Sequence, residues 1–313
     1  MTIRLSWPSQ ADKALTSIEI YRKVGHSATI DVNNPGTPTA TVAGDATQYV
    51  EDVANLTEKT VYTYWIAAVK GTERLFSAPI VQGFFLDTGP GPQKLIMGDW
   101  YAGYFGFVSN QDFASRDDII AASGGLTAAQ IAQYKYGQTG WYKFVYKGRI
   151  LFFPNVRTGY AVYADIYNAG MAYGMDGVGP VIPTGASPAA GVAQTAMFTK
   201  GAYKYRVRLP YAVDYAVTGT SNDYDNGEWR NTFARLFATS YNYADTKDQG
   251  KFASLPLLSN GSSTSEIGVS AMAPAYTTST APYNYGYNPG ALTYGQISSN
   301  TFAAYFVFEL VLP

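Results

Sequence analysis

The chain has 313 residues, 22 basic and 23 acidic side chains, one histidine and no cysteine, for a formal net charge of −1. A hydrophobic fraction of 47% excludes global disorder. The balanced charge with no basic face excludes nucleic-acid binding by phosphate neutralisation, and the absence of cysteine excludes disulfides, thiolate metal sites and a cysteine nucleophile.

Charged residues make up only 14% of the chain, against a usual level of about 25%, while tyrosine occurs 27 times. Tyr is enriched and Lys and Glu are depleted at protein interfaces, so the composition points to a subunit of an assembly. The opening, MTIRLSWPSQ, has no basic region followed by an apolar core, and no secretory signal is expected. No apolar run reaches the roughly 20 residues that span a bilayer, so no membrane insertion is expected. The length suits two domains.

The first expected domain covers residues 1–86. Ile3, Leu5 and Trp7 share one face of a strand, with Arg4 and Ser6 between them. Ile18, Ile20 and Arg22 repeat that period with Glu19 and Tyr21 on the other face, and turn signals follow at Asn33-Asn34-Pro35-Gly36 and Val42-Ala43-Gly44-Asp45. Leu56 is followed by Tyr62, Tyr64, Ile66 and Ala68 in strict alternation. Short alternating strands separated by turns predict an antiparallel β-sandwich.

The order Trp7, Tyr21, Leu56 and the Tyr62-to-Ala68 run resembles a fibronectin type III (immunoglobulin-like) domain. The resemblance implies that Leu56 and Tyr62 build a tyrosine corner, with the hydroxyl tied back to the backbone. It also implies a first strand of some ten residues before the Trp, where this sequence has six. The strand carrying Ile3 and Leu5 is therefore expected to have an open edge, available for pairing with a neighbouring chain.

Residues 87–94, with two Gly and two Pro, read as a semi-rigid linker. Residues 95–313 read as an α+β domain rich in β-hairpins. Within it, Ser115 and Thr127 each precede Asp118 and Gln130 by three residues, the capping-box spacing. Trp141–Tyr146 and Arg149–Pro154 flank Lys147-Gly148, the pattern of a tight hairpin. Trp229, Phe233, Leu236 and Phe237 fit one helix face, capped by Asp225 or Asn226. Residues 174–202 and 259–300 read as long surface loops, the second carrying Tyr283, Tyr285 and Tyr287.

The hairpin and the Ile166-Tyr167-Asn168-Ala169-Gly170 phrase after it resemble a module of tailed-bacteriophage structural and tail-appendage proteins. Gly103–Ser109, Tyr203–Leu209, Asn226–Asn231 and the closing Tyr305–Leu312 are similar to further phrases of that module, in order. At the close the family's Trp-Arg-Pro is replaced by Phe306-Val307-Phe308. Related phage modules imply a C-type-lectin-like arrangement for this domain.

Chemistry-bearing patterns are few. With one histidine, His26, and no cysteine, Ser-His and Cys-His catalysis and multi-His metal sites are excluded from the second domain. Asp223, Asp225 and Gly227 fail the calcium-loop spacing, since Glu228 stands where Gly is required and Ala234 where Glu is. Asp117, Asp118, Asp223, Asp225 and Glu228 are the acid clusters of this domain, and capping or surface exposure accounts for each. The expected function is a non-enzymatic virion component, folded in the bacterial cytoplasm and extracellular in the released particle. Its partners would be other virion proteins and copies of itself, without cofactor or metal. The alternative is an adhesin for host-surface polysaccharide that uses Tyr283, Tyr285 and Tyr287, because aromatic faces cover sugar C–H faces while hydroxyls orient the ligand. A depolymerase, with two acids about 5–10 Å apart in a groove, is a third reading.

Overall fold

The computed structural model describes residues 2–123, 127–132, 134, 137–183, 186–211, 227–236, 272–273, 283–285, 292–294 and 302–311. Among them the protein is mainly β, with nineteen strands against four short α-helices, and every strand pairing is antiparallel. The chain divides into two compact units, Met1–Thr88 with Asp99–Tyr101, and Gly89–Gly98 with Ala102–Pro313.

The first unit contains β1 (Arg4–Ser6), β2 (Ser17–Val24), β3 (Ala40–Ala43), β4 (Gln48–Val50), β5 (Thr60–Lys70), β6 (Glu73–Phe76) and β7 (Ile80–Phe84). Strands β3, β2, β5 and β6 lie side by side in that order, with β7 also on β5, while β1 and β4 form a separate two-stranded sheet. Alternation decides which side chains meet: Ile18 and Ile20 of β2 and Tyr62 and Tyr64 of β5 pack with Ile3, Leu5 and Phe84 into one core, and Trp7 and Leu56 lean on it. The Tyr62 hydroxyl accepts the backbone N–H of Thr57 at 2.7 Å, which fixes the turn entering β5. On the opposite face Tyr21, Trp65 and Ala67 form a smaller cluster with Phe76 against it.

The second unit is built on seven strands. These are β8 (Met97–Gly98), β9 (Ala102–Ser109), β10 (Gly140–Tyr146), β11 (Arg149–Pro154), β13 (Met197–Lys200), β14 (Tyr203–Arg208) and β19 (Val307–Val311), arranged β13-β14-β19-β11-β10-β9-β8. The β10–β11 hairpin pairs Trp141 with Pro154 through to Tyr146 with Arg149. Its two-residue turn has φ of +47° at Lys147 and +78° at Gly148, the doubly left-handed backbone that matches strand twist. All seven β10 residues are buried, because both faces of the sheet are covered. On one side Phe113 packs on Trp141, Phe152, Tyr205 and Phe308. On the other, Trp229 and Phe233 pack on Phe153, and Phe233 also meets Tyr142. The closing strand β19 occupies the interior of the sheet, between β11 and β14.

Helix α1 (Arg116–Ala122) has the expected capping box between Ser115 and Asp118, and Thr127 and Gln130 exchange the same pair of bonds at α2 (Ala128–Ile131). Helix α3 (Tyr163–Asn168) buries Tyr163, Ile166 and Tyr167. The single helix expected from Trp229 to Phe237 is instead α4 (Glu228–Asn231) followed by a 3-10 turn at Phe233–Leu236, broken at Thr232, where φ is −125° and ψ −94°. The residue at its N-cap is Gly227, with no side-chain cap, in place of Asp225 or Asn226. Trp229, Phe233 and Leu236 are still buried together; Phe237 lies outside the described residues.

Two stretches expected as loops contain strands among their described residues. Residues 174–202 contain β13, and the fully buried Gln194 pins the approach to it. Its amide donates to the carbonyls of Tyr167 and Val192 and accepts the N–H of Ala172. Within 259–300, β15 (Met272–Ala273), β16 (Tyr283–Tyr285) and β17 (Leu292–Tyr294) form a three-stranded sheet. A further pair joins β12 (Gly159–Ala161) to β18 (Phe302–Ala304).

The Gly/Pro stretch is held to the second unit rather than left as a bare tether. The Lys143 ammonium donates to the carbonyls of Gly89 (3.2 Å), Pro90 (2.9 Å) and Pro92 (2.8 Å). Lys143 is wholly buried and faces the Phe105 ring at 5.0 Å.

Candidate interface site

The edge expected to be open at Ile3 and Leu5 is that of β1, which pairs with β4. Both side chains are 3% exposed and point into the core, so they anchor the strand and leave pairing to the backbone. Ile3 accepts from the N–H of Glu51 and Trp7 donates to the carbonyl of Thr47, with Leu5 opposite Tyr49 between them. Odd-numbered residues therefore exchange hydrogen bonds with β4. In an antiparallel ladder the even-numbered residues then turn their N–H and C=O the other way. Arg4 and Ser6 carry this outward row, β1 pairs with β4 alone among the described residues, and Pro8, which has no N–H, ends it. Arg4 also bonds Gln48 across the exposed face at 3.1 Å.

The strand is fixed from below by a buried polar cluster that the sequence did not reveal. Glu51, 1% exposed, accepts from the Tyr49 hydroxyl at 3.0 Å and the Tyr64 hydroxyl at 3.2 Å, and pairs with Arg22 at 3.1 Å. Burial pushes the Tyr49 hydroxyl up to about 12, with the neighbouring Glu51 carboxylate adding to the effect. The phenols therefore stay protonated and keep donating to Glu51.

The tyrosine candidates divide. Tyr283 and Tyr285 sit on β16, paired with Tyr294 and Leu292 of β17, while Tyr287 lies outside the described residues. His26 lies beside the Tyr101 ring and bonds the Ser27 hydroxyl, on a loop of the first unit.

Of the acids in the second unit, Asp118 serves the capping box, and Asp223 and Asp225 lie outside the described residues. Glu228 departs from the capping or surface role expected of it. It is 1% exposed and grips the buried Arg208 guanidinium with both oxygens, at 2.8 and 2.7 Å. Glu309 takes the same guanidinium at 2.8 and 2.6 Å, and Arg149 reaches Glu228 at 3.5 Å. The Tyr211 ring lies 3.8 Å from the Arg208 guanidinium carbon. Two carboxylates thus meet at one cation. Burial raises the Glu309 pKa, but Arg208 and Arg149 outweigh it and hold the group below the usual carboxylate range. With Glu228 on α4, Arg208 on β14 and Glu309 on β19, these contacts join the three elements.

Among the described residues no group of three or more His, Asp or Glu side chains could hold a metal ion. No described helix is long and apolar enough to cross a membrane. Comparison of the chain with models of known protein families and with curated proteins returns no match.

Proposed function

We propose that this protein is a non-enzymatic structural component of a tailed-bacteriophage virion, with a fibronectin type III-like first unit, acting through protein–protein contacts. The observation that carries the reading is the open outer edge of β1. A strand locked from beneath by Ile3, Leu5 and the Glu51 cluster carries a backbone row at Arg4 and Ser6 that pairs with no strand among the described residues, and an added strand from a neighbour would complete it. The Tyr62 hydroxyl on the Thr57 amide supports the fibronectin-like assignment. The ordered phrases shared with phage appendage modules, the 14% charge content and the 27 tyrosines support assembly.

The test is a reconstruction by electron cryomicroscopy of the phage particle that encodes this chain. The expected result is the chain in the particle with a neighbouring strand laid along β1. Absence of the chain from purified particles, or a β1 edge facing water in them, would refute the proposal.

A further inference from the structure

In the first unit a sheet of two strands stands over a sheet of five, so part of the larger sheet has no strand above it among the described residues. Strand β4 follows β3, at one border of the larger sheet, after the short connection 44–47. Just beyond β4, Glu51 reaches Arg22 of β2 at 3.1 Å. Strand β1, beside β4, then lies toward β5. Its connection to β2 runs next to β5 and β6, where Gln10 and Leu15 share a groove with Ala68 and Leu75. The outward edge of β1 therefore looks toward the other border of the larger sheet, where β7 pairs with β5.

The two-residue period turns Tyr64 and Ile66 of β5 toward the core, together with Ile80, the β7 partner of Tyr64. Ile66 and Ile80 pack against the core yet stay half-buried, as does Trp7 at the end of β1. By contrast Ile3, Leu5, Ile18 and Ile20 are at most 3% exposed. An occupant of the space beside β1 thus has two requirements to meet. Its backbone must match the outward row at Arg4 and Ser6, and its side chains must reach down to Ile66, Ile80 and Trp7, a row without charge. A β-strand meets both at once, because it bonds along its edge and sends every second side chain to one face. Arg4, a charged side chain of the kind that can shield a strand edge, is instead drawn across the exposed face toward β4 by Gln48 at 3.1 Å.

We infer that the outer edge of β1 accepts an extended segment of another chain in which apolar residues alternate with polar ones, the apolar set packing on Ile66, Ile80 and Trp7. The inference rests on the β1 edge being the contact site proposed above and adds what the partner must look like. Its hydrophobicity has a period of two over about five residues, and no charge is required of it.

The test pans a display library of random decapeptides on the full chain and measures the enriched peptides by fluorescence anisotropy. The expected result is enrichment of apolar residues at every second position. Each enriched peptide is then remade with a single N-methyl group at successive residues. A strand directs alternate N–H groups toward β1 and away from it, so methylation should weaken binding about tenfold or more at every second residue and by less than about twofold between them. On the protein, Ser6→Pro removes one outward N–H at an edge position, where proline is tolerated, and should also weaken binding about tenfold or more. Ser6→Ala keeps that N–H and should bind as wild type does, while Ile80→Thr, with a hydroxyl in the apolar row, should bind about threefold or more weakly. Thermal melts establish that the variants fold; were Ser6→Pro to fold poorly, the N-methyl scan decides. No enrichment, enrichment without the alternation, methylation losses without a period of two, or equal binding by a folded Ser6→Pro would overturn the inference. The peptides are measured on the isolated chain, so their failure leaves the virion assignment to the particle reconstruction. A strand found along β1 in the particle without the alternation would overturn this inference alone.

Discussion

Replacing Lys143 by methionine keeps most of the aliphatic stem and removes only the ammonium, which isolates what that charge does. Three backbone carbonyls, of Gly89, Pro90 and Pro92, accept from it at 3.2, 2.9 and 2.8 Å. Hydrogen bonds to a charged donor contribute about 1.5–3 kcal/mol each, a gross effect of roughly 5–9 kcal/mol. Against this stands the desolvation of an ammonium inside the fold, which costs several kcal/mol. The carbonyls decide the balance, because they remain after the substitution. Gly89 keeps a bond from the Gln93 amide at 2.7 Å, and Pro90 and Pro92 are half-buried, so water relieves them in part.

The net loss is therefore about 2–4 kcal/mol. For a unit of this size each kcal/mol lowers the melting temperature by about 2–4 °C, and Lys143→Met should melt roughly 5–15 °C below wild type. Calorimetry measures that difference. Proteolysis at residues 89–92 and the carbonyl carbon shifts of Gly89, Pro90 and Pro92 report whether the segment has come loose. A variant that melts within about 1 °C of wild type, or above it, with those shifts unchanged, would show that packing alone holds the Gly/Pro stretch and that ammonium desolvation cancels the bonds.

Two further outcomes concern the charge network of the second unit. Arg208→Met leaves Glu228 and Glu309 facing each other without their shared cation, and should destabilise the unit by about 3–5 kcal/mol in a urea titration; a loss under about 1 kcal/mol would mean that Arg149 suffices. Glu309 titrates below its ordinary range in the folded state, so its contribution is complete above the unfolded carboxylate value of about 4.3 and is lost as pH falls through the lower folded value. Acid unfolding followed by tryptophan fluorescence should accordingly be steeper in pH for wild type than for Glu309→Gln, and equal slopes would refute the linkage.

What the sequence revealed was whatever short-range chemistry decides. The Lys147-Gly148 turn requires positive φ at adjacent residues, and the apolar runs on either side have nowhere else to go. The boxes at Ser115 and Thr127 are closed by side chains three residues away. The Tyr62 bond spans five residues. The features that the sequence does not display join distant positions. Arg208 meets Glu309 across 101 residues and Glu228 across 20, so Glu228 beside Gly227 looked like a helix-start acid until the fold brought Arg208 to it. Strand β13 was hidden because Met197–Lys200 is short, and it becomes a strand only by pairing with β14. Lys143 stands in the middle of an apolar strand, where the alternation placed it on a face without showing that the Gly/Pro stretch would cover that face.

The interior charges also bear on how the surface works. Glu19, Glu51, Lys143, Arg157, Arg208 and Glu228 are all buried, three acids and three bases, so their burial leaves the formal net charge of −1 unchanged. A net charge so near zero gives little of the mutual repulsion that keeps soluble proteins apart. Meanwhile the Glu51 and Arg208 clusters, in which Glu51, Glu228 and Arg208 each hold more than one partner, resist rearrangement of the strands they join. A rigid β scaffold with a net charge near zero suits lasting contact more than repeated encounter, and at the β1 edge the specificity would come from backbone pairing. On that argument, adding charge at Ser6 should disturb association while leaving the fold intact, because Ser6 lies on the outward row and the residues that hold β1, Ile3 and Leu5, face the core.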